Sequence, residues 1–164
     1  MDRVIAESEV AKSTLYVRFP AKDGLAAAYL HRVDESWRGE PCTPALAAGD
    51  DPQGWLVVVL FAAVSAFYER HGFHGCPFAN AAGESEPGSS PHEVTVEHQR
   101  TVRAWVREPA EEAGAAATDS LPLRLTLLID GTLDAGRLEQ NPAIPAAAKA
   151  VPLAVVEQAC PPAA

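Results

Sequence analysis

Pro20 divides the amino-terminal part of the chain into helical pieces of unequal length. A proline lacks the backbone N–H and crowds the turn before it, so a helix that reaches one stops. Upstream, "MDRVIAES" sets Val4 and Ile5 on one side and Asp2, Arg3 and Glu7 on the other, a short helix over Met1 to Ser8. "SEV" breaks that pattern, and a second short helix covers Ala11 to about Val17. Beyond Pro20 and "AKD", Leu25, Ala28, Tyr29, Val33 and Trp37 recur every three or four residues and predict a longer helix. Two stubby helices followed by a long one restrict the amino-terminal end to a small helical unit joined to something larger.

The something larger also reads as helical. "RGEPCTPALAAGDDPQG" is a loop rich in Pro, Gly and Asp, in which Asp50 or Asp51 can cap a following helix that has Pro52 in its first turn. Trp55 to Arg70 is apolar nearly all round, as a central helix is, although its triple Val also permits a strand. "CPFANAAGES" predicts a short helix, and Pro91 to about Gly114 a polar one with Val94, His98, Val102 and Trp105 on one stripe. Leu121 to Gly136 is ambiguous. Leu121, Leu123, Leu125 and Leu127 alternate before an Asp130-Gly131 turn signal, the mark of a β-hairpin. The same residues place Leu121, Leu125, Leu128, Ile129 and Thr132 on a helical stripe. The last segment, Ala143 to Ala159, is Ala-rich and interrupted by Pro145 and Pro152. Abundant Ala and few β-branched residues outside one or two runs favour an all-α fold.

Charge and cysteine usage narrow the function. The net charge of -9 argues against a general nucleic-acid coat or a binder of anionic membranes. The first 22 residues depart from it: Arg3, Lys12, Arg18 and Lys22 outnumber Asp2, Glu7 and Glu9, so contact with phosphate belongs to this end. Cys42, Cys76 and Cys160 are odd in number and far apart, which is no disulfide framework and points to a reducing cytoplasm. No signal peptide is expected. The apolar run Trp55 to Tyr68 is too short to span a bilayer comfortably and reads as a buried core segment.

The stretch "VIAESEVAKSTLYVRFPAKDGLAAAYL" resembles the DNA-binding region of the tetracycline-repressor (TetR/AcrR) family of bacterial regulators. The matching residues are Ile5-Ala6, Val10, Thr14-Leu15-Tyr16, Arg18, Phe19, Lys22, Asp23 and Leu25. "GFHGCPFANAAGE" and "LLIDGTLDAG" are similar to segments of the regulatory domain in one branch of the family, which favours the helical reading of Leu121 to Gly136. The resemblance implies an all-α protein: a helix-turn-helix head with its connecting helix over residues 1–38, and a ligand-binding and dimerisation domain over 39–164. The second helix of such a head lies in the major groove. Lys12, Ser13, Thr14 and Val17 would face outward, Leu15 and Phe19 inward, and Tyr16, Arg18 and Lys22 would contact phosphate. Lys12 can reach a guanine edge and Val17 a thymine methyl.

Two departures from the family pattern qualify the head. Family members begin with a long helix before the one that starts here, so the expected head is a truncated one: either the true start lies upstream, or the head is loose and binds operator DNA weakly or not at all. Members usually carry Gly before the Val of the turn, and this chain has Glu9. A non-Gly residue in a left-handed turn costs about 1 kcal/mol, and a carboxylate beside phosphates adds repulsion.

In the larger domain the resemblance implies a pocket for a small apolar effector. Trp55, Phe61, Phe78 and Trp105 are its candidate walls, and Asn80, His98 and Gln99 its polar members, beside the plain alternative of ordinary core. The last two helices imply a homodimer through Leu125, Leu128, Gly131, Thr132 and Ala135, whose twofold symmetry would match a palindromic operator. The expected function is a transcriptional repressor released by its effector. The alternative is a dimeric ligand-binding helical module with a defective head. His71, His74 and Cys76 form the best metal-like cluster but lack a closed ligand set, and Cys76 has no evident basic neighbour or resolving cysteine for a redox role. No catalytic residue, metal or cofactor is expected.

Overall fold

Pro20 and Phe19 end the second helix as its sequence requires. The computed structural model describes residues 1–8, 10–39, 64–70, 72–116, 118–141, 143–148 and 150–160. Among them every regular element is an α-helix. Helix α1, Asp2–Ser8, buries no residue and carries one surface ion pair, Arg3 to Glu7 at 2.8 Å. Helix α2, Lys12–Arg18, buries only Leu15, and the backbone N–H of its C-cap Phe19 donates to the Leu15 carbonyl. Glu9, at the altered turn between them, lies outside the described residues.

Helix α3, Lys22–Gly39, starts with Asp23 in its first turn and ends with Arg38 in its last, charges that suit the two ends of the helix dipole. Ala27, Leu30 and Asp34 form its buried stripe. Residues 64–70 form α4, the described part of the Trp55 to Arg70 segment, with Val64 and Tyr68 buried. Helix α5, Pro77–Gly83, uses Pro77 in its first turn, where the missing N–H is no loss. Helix α6, Ser90–Glu112, buries Pro91, Thr95, His98, Val102, Val106 and Ala110, a single stripe at steps of three and four.

Helix α7, Ser120–Glu139, settles the ambiguous leucines. Leu121 and Leu125 are fully buried, whereas Leu123 and Leu127 are exposed at 43% and 60%. A strand would have put all four on one face; the helical period separates them. Asp130-Gly131 lies within the helix, so the hairpin reading is excluded. Helix α7 stops at Gln140, which adopts the left-handed conformation with φ 51°. Helices α8, Ala143–Ala148, and α9, Ala150–Ala159, are the described helical parts of the final segment, and Pro145 and Pro152 lie inside them.

Two clusters hold the body together. Val106 and Ala110 of α6, Leu121 and Leu125 of α7, and Val156, Ala159 and Cys160 at the end of the chain form one. Leu30, Val64, Tyr68, Cys76, Phe78 and Leu133 form the other, which joins α3, α4, α5 and α7. Tyr68 locks α4 to α7. Its hydroxyl lies 2.9 and 2.8 Å from the carbonyl oxygens of Thr132 and Leu133, within donating reach of both. The approach is possible because position 136 is glycine: a Cβ there would collide with the Tyr68 ring and hydroxyl. No helix among the described residues is long and apolar enough to cross a membrane.

Candidate functional site

With Leu15 turned inward, α2 leaves Lys12, Ser13, Thr14, Tyr16, Val17 and Arg18 exposed. Val17 is 84% exposed, an aliphatic side chain held in water by nothing in its own protomer. Lys12 sits 5.9 Å from the centroid of the Tyr16 ring and 3.6 Å from the Asp2 carboxylate. Both partners of that ion pair are well exposed, so it contributes little and leaves Lys12 available to another anion. Lys22, four residues beyond the end of α2 and the first residue of α3, lies 3.4 Å from Glu84 at the end of α5.

Behind α3 the body is hollow. A groove of about 460 Å³ runs between α3, α4 and α5. Tyr29, Val33 and Trp37 line its α3 side, His74, Asn80 and Ser85 the other, with Lys22 and Glu84 at one end. A smaller chamber of about 50 Å³ shares Val33, Trp37, Phe67 and Pro77 with the groove. Phe78, His98, Gln99 and Asp130 complete its walls.

His98 organises the chamber. Its ring stacks on Phe78 at 3.6 Å with 4° between planes, and meets Trp37 edge-on at 5.5 Å. Nδ1 lies 2.6 Å from Asp34 Oδ1, a contact that joins α6 to α3. Burial pushes the imidazole below its ordinary value and outweighs the pull of Asp34, so at neutral pH His98 is uncharged and Nδ1–H donates. Burial alone would raise the Asp34 carboxyl, but hydrogen bonds from Arg38 and His98 carry it below its ordinary value. Arg38 Nε donates to Asp34 Oδ2 at 2.8 Å. Asp130 behaves oppositely: burial raises it, and Gln99 Nε2 is a long donor to its two oxygens at 3.3 and 3.2 Å.

No protein-family model matches the sequence, and no curated protein does. Solved structures do match. A TetR-family transcriptional regulator from Streptomyces coelicolor superposes with a TM-score of 0.79 at 29% identity, over 97% of this chain and 82% of that one. A TetR-type regulator from Streptomyces avermitilis superposes with a TM-score of 0.82 at 22% identity, over 98% of this chain and 86% of that one. The chain has the fold of the TetR-family transcriptional regulators.

On this fold the expected site residues separate into groups. The seven chosen for DNA lie together on α2 and the start of α3, all exposed. Of the six pocket residues, Phe78 and His98 line the chamber and Asn80 lines the groove. Trp105 lines neither; it packs edge-on against Trp37 at 5.8 Å and against the α6–α7–α9 cluster. Trp55 and Phe61 lie outside the described residues. Of the five interface residues, Leu125 and Thr132 are buried inside the protomer, because the inner stripe of α7 belongs to its own core. Leu128 and Ala135 are half-buried and Gly131 is exposed. The outward apolar residues of α7 are instead Leu123, Leu127 and Leu138.

Sequence reasoning missed Trp37 and Asp130 as parts of the cavity, and Asp34 as the partner of His98. Asp34 had a signal: it stands four residues after Leu30, a carboxylate on the apolar face of a helix, where only a paired charge survives. Asp130 was hidden because Asp-Gly reads as a turn. His74 is exposed, Cys76 is buried, and His71 lies outside the described residues. Among the described residues no three His, Cys, Asp or Glu side chains gather as a metal site would require.

Proposed function

We propose that this chain is a DNA-binding transcriptional regulator, a repressor released by a small effector, acting as a homodimer on a palindromic operator in the cytoplasm. The observation that carries this is the exposed face of α2, which offers Lys12, Ser13, Thr14, Tyr16, Val17 and Arg18 from a helix anchored by Leu15 alone. A short helix with cations, hydroxyls and one aliphatic side chain outward suits base edges and phosphates together. Helix α3 then supplies the coupling. It starts beside α2 with Lys22 and lines the groove with Val33 and Trp37, so an effector seated there favours one setting of the head over another. Leu123, Leu127 and Leu138 of α7, with Val151 and Leu153 of α9, supply an apolar surface for a second copy. No step of this function asks for a catalytic group, metal or cofactor.

The test is fluorescence anisotropy with duplexes tiled across the DNA upstream of the chain's own reading frame, in about 0.1 M salt. One duplex should bind at least about a thousandfold more tightly than bulk competitor DNA. Equal affinity for every duplex would overturn the regulator. It would support the other reading, a dimeric ligand-binding module with a defective head. That reading is favoured by one observation: α1 buries nothing and α2 a single side chain.

A further inference from the structure

We infer that the ligand of this cavity is an organic cation, an aromatic or aralkyl ammonium whose nitrogen is received by Asp130 in the chamber while its ring lies between Trp37 and Phe67. The inference rests on the cavity's being the effector site and names the chemistry that site selects.

The chamber is apolar almost throughout, with Val33, Val64, Val102, Ile129 and Leu133 among its walls. Its polar members are unequal. Thr126 turns its hydroxyl back to the Leu123 carbonyl at 3.0 Å. His98 is uncharged and has given Nδ1–H to Asp34. Asp34 is in turn matched by Arg38, whose Nη2 lies 2.6 Å from Oδ2. Among the described residues that line the chamber, Asp130 is the one charged side chain. The neutral Gln99 amide is its hydrogen-bond donor, at the long end of the useful range. Among the described residues no basic side chain comes within ion-pair distance of it. Arg103 and His98 act on it only through space.

A carboxylate in such a place costs free energy until a donor or a cation arrives. An anionic ligand would meet Asp130 at short range in a low-dielectric pocket and be rejected. A neutral alcohol would satisfy one lone pair. An ammonium would satisfy several and remove the uncompensated charge, with the aromatic rings of Trp37 and Phe67 lining the same chamber as cation–π partners. Size agrees with this division. A chamber of about 50 Å³ admits a small head group, and the adjoining groove of about 460 Å³ admits the rest. Their shared wall, Trp37 and Phe67, is where a flat ring would lie.

Calorimetric titration of the full chain at slightly alkaline pH with phenethylammonium, phenethyl alcohol and hydrocinnamate separates the outcomes. The three probes share a skeleton and differ in charge. The ammonium should bind at least about tenfold more tightly than the alcohol, and the carboxylate most weakly. Asp130→Asn should erase the preference for the ammonium and leave the alcohol unchanged. The ranking in the unsubstituted chain decides the matter even should that variant fold poorly. Equal or tighter binding of the alcohol or the carboxylate would overturn the cation while leaving the cavity as a ligand site. Failure of all three to bind would overturn both.

Discussion

Helices α2 and α6 are both amphipathic, yet one is held by its neighbours and the other largely displays itself. Of the seven residues of α2, Leu15 alone is buried. Helix α6 buries six side chains along its length, including the fully enclosed Val106 and Ala110. Burial at roughly 25 cal/mol per Å² makes the second arrangement the source of stability and leaves the first close to the margin. The difference separates two duties. The body fixes a shape, and α2 leaves most of its side chains exposed.

The sharpest way to break this contrast is Leu125→Ala. It empties a fully buried site between α6, α7 and α9. It should cost about 2–5 kcal/mol, read as a fall in melting temperature on the order of 10 °C. A melting temperature within a degree or two of the parent would mean that the body is not the stable part. Gly136→Ala should follow, at about 1–3 kcal/mol, because the new methyl meets Tyr68. Tyr68→Phe removes the hydroxyl and its donation to the α7 carbonyls, at a cost of about 1 kcal/mol. Combining the two substitutions should cost less than their sum, since they act on one contact.

In the amino-terminal unit the signs divide. Leu15→Ala removes the one anchored side chain of α2. Its melting temperature should stay near that of the parent while affinity for the selected duplex falls at least about tenfold. A large loss of stability with intact DNA binding would reverse the assignment of duties. Lys22→Ala should have the smallest effect of this series on binding. It should lower the slope of log affinity against log salt by about one, leave sequence preference unchanged and leave the melt within about 0.5 kcal/mol.

Acid tests the contact that joins α6 to α3. His98 titrates below its ordinary value of 6.5 in the folded chain. In the window just under that value the unfolded chain binds a proton that the folded chain does not, so stability is full above it and falls as the pH drops through it. Lower still, Asp34 adds a loss in the same direction as it is protonated, since its folded value lies below 3.8. Asp130 opposes both, because its raised value favours the folded chain on the acid side. His98→Gln should flatten the slope of melting temperature against pH just below 6.5, and an unchanged slope would remove His98 from the account.

Much of the fold was legible because helices announce themselves by period and punctuation. Pro20, Pro77 and Pro91 mark a stop and two starts. The inward turn of Leu15 and the exposure of its α2 neighbours were legible in the same way. The cavity was only partly legible. His98 and Phe78 were in view, but a pocket is made where distant segments meet, and nothing in the order of residues says that Asp34 and Asp130 approach the same histidine. The α7 leucines failed for a related reason. Period shows that a helix has two apolar faces but not which one its own protomer claims, so Leu125 was assigned outward and Leu127 was overlooked.

Gln140 ends α7 in a left-handed conformation that glycine would adopt more easily. Its side chain explains the choice: Nε2 is 2.8 Å from the carbonyl oxygens of both Phe73 and Arg137. Helix end and loop are thereby riveted at one residue, just before the His74 to Pro77 wall of the groove. The length of α7 thus works as a ruler for the groove. An insertion or deletion of a single residue near position 138 would swing Gln140 around the helix axis and carry the groove wall with it, although no residue of the wall had changed.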